Sequence, residues 1–206
     1  MVKYIFFVIF IFVSVVLPQS KVSLSALGGF NYIPLKNFSH YLNSFENTQL
    51  DKYSFSGNVK INYSFNSQHH IYIGGEYIST NASFSGGFGS VIWTFEAIPV
   101  TVGYEYSIKS DNQGWVPYVG AGISYVFGNT EDTYLGDDGS MIENYADNSF
   151  GFEIKIGVDK DIVENLFLSS EIKYRYIGDG NIGKYSVVEK NLSGVSFLAG
   201  VKLAIF

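Results

Sequence analysis

From Phe55 to Phe65 the odd positions are apolar or glycine and the even ones are Ser, Asn or Lys: Phe55-Ser56-Gly57-Asn58-Val59-Lys60-Ile61-Asn62-Tyr63-Ser64-Phe65. Side chains on a strand leave alternate faces, so a period of two predicts strands whose two faces meet different surroundings. The pattern returns about eight times and predicts strands over about 21–33, 54–66, 69–83, 90–108, 115–128, 149–160, 165–178 and 192–206. Three connections between them are short: Asn66-Ser67-Gln68, Ser110-Asp111-Asn112-Gln113-Gly114 and Asp161-Ile162-Val163-Glu164. The others, 34–53, 84–89, 129–148 and 179–191, are long or glycine-rich.

Short and long connections take turns along the chain, as in a barrel that crosses an outer membrane with tight periplasmic turns and longer external loops. A soluble sandwich alternates too, with its apolar side turned inward. Three features favour the membrane barrel. The polar face carries small residues, with Gly120, Gly122 and Ser124 opposite Val119, Ala121, Ile123 and Tyr125, and the inside of an eight-stranded barrel is crowded. Aromatics gather toward strand ends, as in Phe30 and Tyr32, Tyr104 and Tyr106, Tyr125 and Phe127, and Tyr174 and Tyr176. Such clusters suit girdles at the two lipid–water boundaries. The polar face also carries charges of both signs. The expected fold is all-β: an eight-stranded antiparallel up-and-down transmembrane β-barrel.

Composition sharpens this picture. Charged residues make up only 16% of the 206 residues, below the usual quarter, while aromatics reach 17% with 16 Tyr and 18 Phe. The formal charge of -6 supplies no basic patch, which argues against nucleic acid as a partner. With no cysteine, thiolate metal sites and disulfides are excluded. Lys3, the apolar run from Ile5 to Leu17, and Pro18-Gln19-Ser20 read as a secretory signal. Residues 1–20 are therefore expected to be cleaved after export, and 21–206 to form the barrel.

By the phase of the strands, the charges that face inward are Lys60, Glu76, Glu105, Glu153, Lys155, Asp159, Glu171, Lys173, Arg175 and Lys202. An Arg or Lys turned to lipid at midplane costs roughly 2–4 kcal/mol, so the lumen is their natural place. There they are expected to pair and fill the interior as a plug, since eight strands leave room for side chains only. The alternative is a selective pore. In 90–108 Glu96 shares a face with Ile98, Val100, Val102, Tyr104 and Tyr106. A bulge near Ala97 or a rim position for Glu96 would resolve that conflict, and Pro99 points to a local irregularity in the ladder. In the last strand Val195, Phe197, Ala199, Val201, Leu203 and Ile205 form the apolar face. Phe206 then shares a phase with Gly200 and Lys202.

Four segments carry a resemblance: Ala97-Ile98-Pro99-Val100-Thr101-Val102-Gly103-Tyr104-Glu105-Tyr106, Pro117 through Tyr125, Phe150 through Val158, and Leu168 through Tyr176. Together they resemble the small outer-membrane β-barrel family that includes opacity-type adhesins and the barrel domain of outer-membrane protein A. That resemblance implies eight antiparallel strands in the outer membrane of a Gram-negative-type cell. It implies contact with outer-membrane lipid and lipopolysaccharide, and with the barrel-assembly machinery during insertion. Members serve as adhesins, envelope-stabilising proteins or narrow channels, and no catalytic residues carry over.

No constellation of catalytic groups rises above background. His69 and His70 fall at a short turn, as a polar strand start. Ser39 and His40 lie in the first external loop, where only an acid from the third loop would complete a lipase-like set. Glu131, Asp132, Asp137 and Asp138, with Glu143 and Asp147, give the third loop an acidic stretch with no Lys or Arg between Thr130 and Asn148. A solvated acidic loop is expected there, with weak capture of Ca²⁺ or Mg²⁺ as the functional option. Phe38, Tyr41, Phe45 and Tyr53 in the first loop offer a contact surface or rim packing. No cofactor is expected. The leading functional expectation is a structural or surface-interaction barrel with an unidentified external ligand. A porin-like narrow channel for small or hydrophobic solutes comes second, and a lipid-modifying enzyme is remote.

Overall fold

The structure, a computed structural model, describes residues 21–34, 48–86, 89–108, 114–136, 139–178 and 193–205. The expected signal segment, Ser39, His40, Asp137, Asp138 and Phe206 lie outside the described residues. Among those described, nine strands and no helix form: β1 Lys21–Tyr32, β2 Thr48–Leu50, β3 Tyr53–Ser64, β4 His69–Gly86, β5 Gly89–Ser107, β6 Trp115–Gly136, β7 Gly139–Val163, β8 Leu166–Ile177 and β9 Gly194–Ala204. Neighbours in the sheet run β2-β4-β3-β1-β9-β8-β7-β6-β5, and β5 pairs back to β4. Eight strands therefore close into an antiparallel barrel, while β2 lies along the upper part of β4.

Cross-strand partners followed around the wall from Val22 lead through Tyr63, Ile71, Tyr104, Ala121, Ile154, Tyr174 and Val195. They return to β1 at Tyr32, ten residues further along the strand. With a rise of about 3.3 Å per residue and strands about 4.8 Å apart, this stagger tilts the strands by about 40° and sets a radius of about 8 Å. A cylinder of that radius has no room for solvent once side chains point inward.

Outward and inward residues alternate as the sequence pattern requires; β8, for example, buries Ser169, Glu171, Lys173, Arg175 and Ile177 and exposes the residues between them. Two aromatic belts circle the outside. The upper one contains the ring pairs Phe30–Phe55, Tyr32–Tyr53, Tyr125–Phe150 and Phe152–Tyr176, with centroids 5.2–6.2 Å apart. The lower one contains Tyr63–Phe65 and His69–Tyr106. Phe55 on β3 and Phe65 just past its end mark the two belts, ten residues apart. At the tilt above, that spacing is about 25 Å along the barrel axis, the height of an outer-membrane apolar band.

Two expectations are corrected, and one choice between alternatives is resolved. The segments 84–89 and 129–148 are largely strand rather than loop, because β4 runs to Gly86, β5 begins at Gly89, β6 runs to Gly136 and β7 begins at Gly139. The turns carry Gly89 and Gly139 at φ 132° and 124°, a conformation that only glycine adopts without strain. A short strand, β2, also forms within the expected first loop. Of the two resolutions for Glu96 the rim position is the one realised, with no bulge: the β4–β5 register is unchanged on both sides of Pro99, and β5 pairs β6 without a shift. Only the ladder positions opposite Ile98–Pro99 are missing, since proline has no N–H to give. Glu96 sits above the upper belt and accepts a hydrogen bond of 2.5 Å from Tyr77 Oη.

The upper parts of β4, β5, β6 and β7 continue beyond the belt as a projecting sheet, whereas β1, β3, β8 and β9 stop near it. From Tyr125 to Gly136 the rise along the axis at the same tilt is about 28 Å.

Candidate functional site

The lumen holds the densest chemistry of the molecule, and strand phase places it there. Lys60 comes from β3, Glu76 from β4, Glu105 from β5, Glu153, Lys155 and Asp159 from β7, Glu171, Lys173 and Arg175 from β8, and Lys202 from β9. Nine of the ten are buried; the Lys202 side chain keeps 17% exposure toward the periplasmic mouth.

Eight of them form one connected network. Lys60 Nζ lies 2.7 Å from Glu105 and 3.1 Å from Glu171. Lys155 Nζ lies 2.8 Å from the same Glu105 oxygen. Lys173 Nζ reaches Glu76 at 2.6 Å and Glu153 at 3.6 Å, and Arg175 Nη1 holds the other Glu76 oxygen at 3.0 Å. Four acids thus face four bases, leaving no net charge. Below them, Lys202 Nζ and Ser169 Oγ both donate to Asp159, each at 2.7 Å.

Two tyrosines complete the packing. Tyr72 Oη donates to Glu153 at 2.7 Å while Lys155 Nζ sits 3.3 Å from the centre of its ring. Tyr118 Oη donates to Glu171 at 3.0 Å, with Lys60 Nζ 5.3 Å from its ring centre. These rings explain the inward glycines. A Cβ on Gly122 would stand 2.6 Å from Tyr72 Oη, and one on Gly157 would stand 2.3 Å from Tyr118 Cζ. At these two positions the rings leave no room for a side chain.

Above the charges the lining changes character. Ile33, Ile78, Ala82, Phe95, Ala97, Val126 and Ile177 form a buried apolar cluster at the level of the upper belt, with Trp93 packed against it. The sequence reading missed this layer. Its signal was present in the inward phase, where Glu76 is followed by Ile78, Ser124 by Val126 and Arg175 by Ile177. Near the periplasmic mouth, His70 faces inward between Ser64 Oγ at 2.7 Å and Ser107 Oγ at 3.0 Å. His69 faces outward and bonds to Tyr104 Oη.

Within the acidic stretch, Glu131 and Asp132 are neighbours on β6 and leave opposite faces of the projecting sheet, while Asp132 stands opposite Glu143 on β7; Asp137 and Asp138 lie outside the described residues. Among the described residues no three acidic or histidine side chains stand where they would hold a metal ion.

A family model described as outer membrane protein beta-barrel domain matches residues 8–203. No curated protein matches the chain. Among solved structures, Neisserial surface protein A is similar with 17% identity and a TM-score of 0.51, over 89% of this chain and 96% of its own. The outer membrane protein OprG from Pseudomonas aeruginosa is similar with 14% identity and a TM-score of 0.54, over 90% and 94%. A major outer membrane protein from Thermus thermophilus reaches a TM-score of 0.60 with 10% identity, over 91% and 100%. Identities this low speak to the fold alone.

Proposed function

The chain belongs to the outer membrane protein β-barrel domain family, and from that premise we propose a closed, adhesin-like barrel that presents its projecting sheet to other molecules and conducts no solute. The observation that carries this reading is the filled lumen. A neutral network of eight charges and two tyrosine rings lie inside the barrel, with a buried apolar layer above them. A passage would need these side chains to move apart, and each ion pair opened in a water-poor interior leaves costly unpaired charge. The outward wall, with Ile61, Ile73, Ile123, Ile154 and Ile156 exposed, meets outer-membrane lipid, and its upper belt meets lipopolysaccharide. No catalytic role is part of the proposal.

Surface interaction is tested by display. A bacterial host without surface barrels of its own would express the whole chain or a variant with residues 129–146 replaced by Asn-Gly, which leaves Gly128 and Asp147 paired. The whole chain should promote attachment to surfaces or between cells, and the shortened one should insert equally well and lose that gain. Equal attachment by both, or none by either, contradicts the reading.

A further inference from the structure

One row of the lipid-facing wall lacks bulk. Gly28, Ala199, Ser170, Val158 and Pro117 are successive cross-strand partners on β1, β9, β8, β7 and β6, all in the outward phase. The outward row above them is Phe30, Phe197, Ile172, Ile156 and Val119, every one exposed. The row below contains Val201 and Leu168 and ends on Lys160 and Trp115. Between the two bulky rows lies an apolar trough of about 680 Å³. Its lining includes the inward-phase Gly29, Glu171 and Gly157, so its floor is main chain.

The trough follows the hydrogen-bond rows. Because one circuit from β1 through β3 climbs ten residues, a row followed the other way, from β1 through β9 to β6, falls by about 3 Å per strand. It starts above mid-height under Phe30 and Phe197 and ends about 12 Å lower, beside the periplasmic boundary of the apolar band. Across five strands it is about 19 Å long, the reach of one extended fatty acyl chain. Elsewhere on the wall bulky side chains hold lipid tails off the main chain. Between a protein wall and lipid there is no hydrophobic drive, so a tail is retained by close packing, and here it would be flanked on both sides. The lower end carries the chemistry of a headgroup site. Exposed Trp115 opens β6 at the boundary where tryptophan is favoured, and Lys160 Nζ lies 5.1 Å from its ring centre. Lys160 also interacts within the protein, and its ammonium has three N–H to share with a phosphate.

We propose that this trough is a binding site for one anionic glycerophospholipid of the periplasmic leaflet. One tail lies along Gly28, Ala199 and Ser170, and the phosphate meets Lys160 beside Trp115. The site lies on the membrane-embedded wall, away from the projecting sheet, and does not depend on the surface-interaction reading.

The test is native mass spectrometry of the whole chain released from mild detergent, with phosphatidylglycerol or phosphatidylcholine added. One phosphatidylglycerol per barrel should stay bound after the detergent is stripped, preferred over phosphatidylcholine by about fivefold, the worth of one interfacial lysine. Ala199→Leu combined with Ser170→Leu fills the trough with side chains suited to lipid and should lower retention of phosphatidylglycerol about tenfold. Lys160→Gln should remove the headgroup preference and keep the remaining retention. No lipid on the unaltered chain, equal retention by the filled variant, or no preference between the two headgroups would each overturn the proposal. A lipid-free doubled mass that the filled variant loses would give the trough to a second copy of the chain and overturn it too. If the filled variant lacks heat-dependent gel mobility, the unaltered chain decides by NMR. Phosphatidylglycerol with a nitroxide on its tail should broaden the methyls of Ile156 and Ile172 more than those of Ile73 on β4, four strands from β8 in either direction. Uniform broadening would contradict the site.

Discussion

Glu76 holds two cations at once, Lys173 on one oxygen and Arg175 on the other, in a part of the lumen without water access. Replacing it with alanine strands both, and breaking buried pairs of this kind costs about 3–5 kcal/mol. Glu76→Ala should therefore lower the urea midpoint of the micelle-bound barrel sharply, while Glu131→Ala on the projecting sheet should change stability by no more than about 0.5 kcal/mol. Equal effects would show that the lumen charges are solvated. Steric crowding gives a second test at this scale. A larger side chain at Gly122 must push Tyr72 off Glu153, so Gly122→Val should destabilise by about 1–3 kcal/mol by the same unfolding measurement. The inward placement of the charges was legible from strand phase alone. Their partners were not, because contacts such as Lys60 with Glu171 join residues 111 apart and exist only after closure with a ten-residue stagger.

At the scale of the strand, the lipid-facing rows set what each element tolerates. Ile156 lies midway between the belts on β7 and is 57% exposed to the surroundings. Ile156→Arg should cost roughly 2–4 kcal/mol of stability in lipid vesicles, whereas an arginine at exposed Ile142, beyond the upper belt, should cost about 1 kcal/mol or less. Similar costs at both positions would mean that the band is misplaced. The strands within the membrane were readable because one face meets lipid and the other meets charge. Beyond the belt the outer face no longer meets lipid, and polar residues serve the buried face as well, with Thr130 and Asp132 covered, so Asn129-Thr130-Glu131-Asp132-Thr133 loses the apolar–polar alternation while keeping its ladder. The stretch then resembles a loop, and its remaining cue was the turn-like composition of Gly136-Asp137-Asp138-Gly139 in the sequence.

For the whole molecule, closure and filling are linked. Eight strands with this stagger fix a radius of about 8 Å, and that radius explains why small residues, two tyrosines and balanced charges must share the interior. The fold was legible because its two solvents, lipid outside and charge inside, imprint one period on every spanning strand. The apolar layer at the top of the lumen and the projecting sheet escaped notice because neither borders both solvents. Closure and filling together make the barrel a rigid, sealed platform that carries a sheet above the membrane. The most direct test is the electrical behaviour of the purified chain in planar lipid bilayers. A sealed lumen predicts no stable unitary conductance across a range of voltages, even when insertion is verified by heat-dependent gel mobility. Reproducible, long-lived channel steps from the unaltered protein would contradict it.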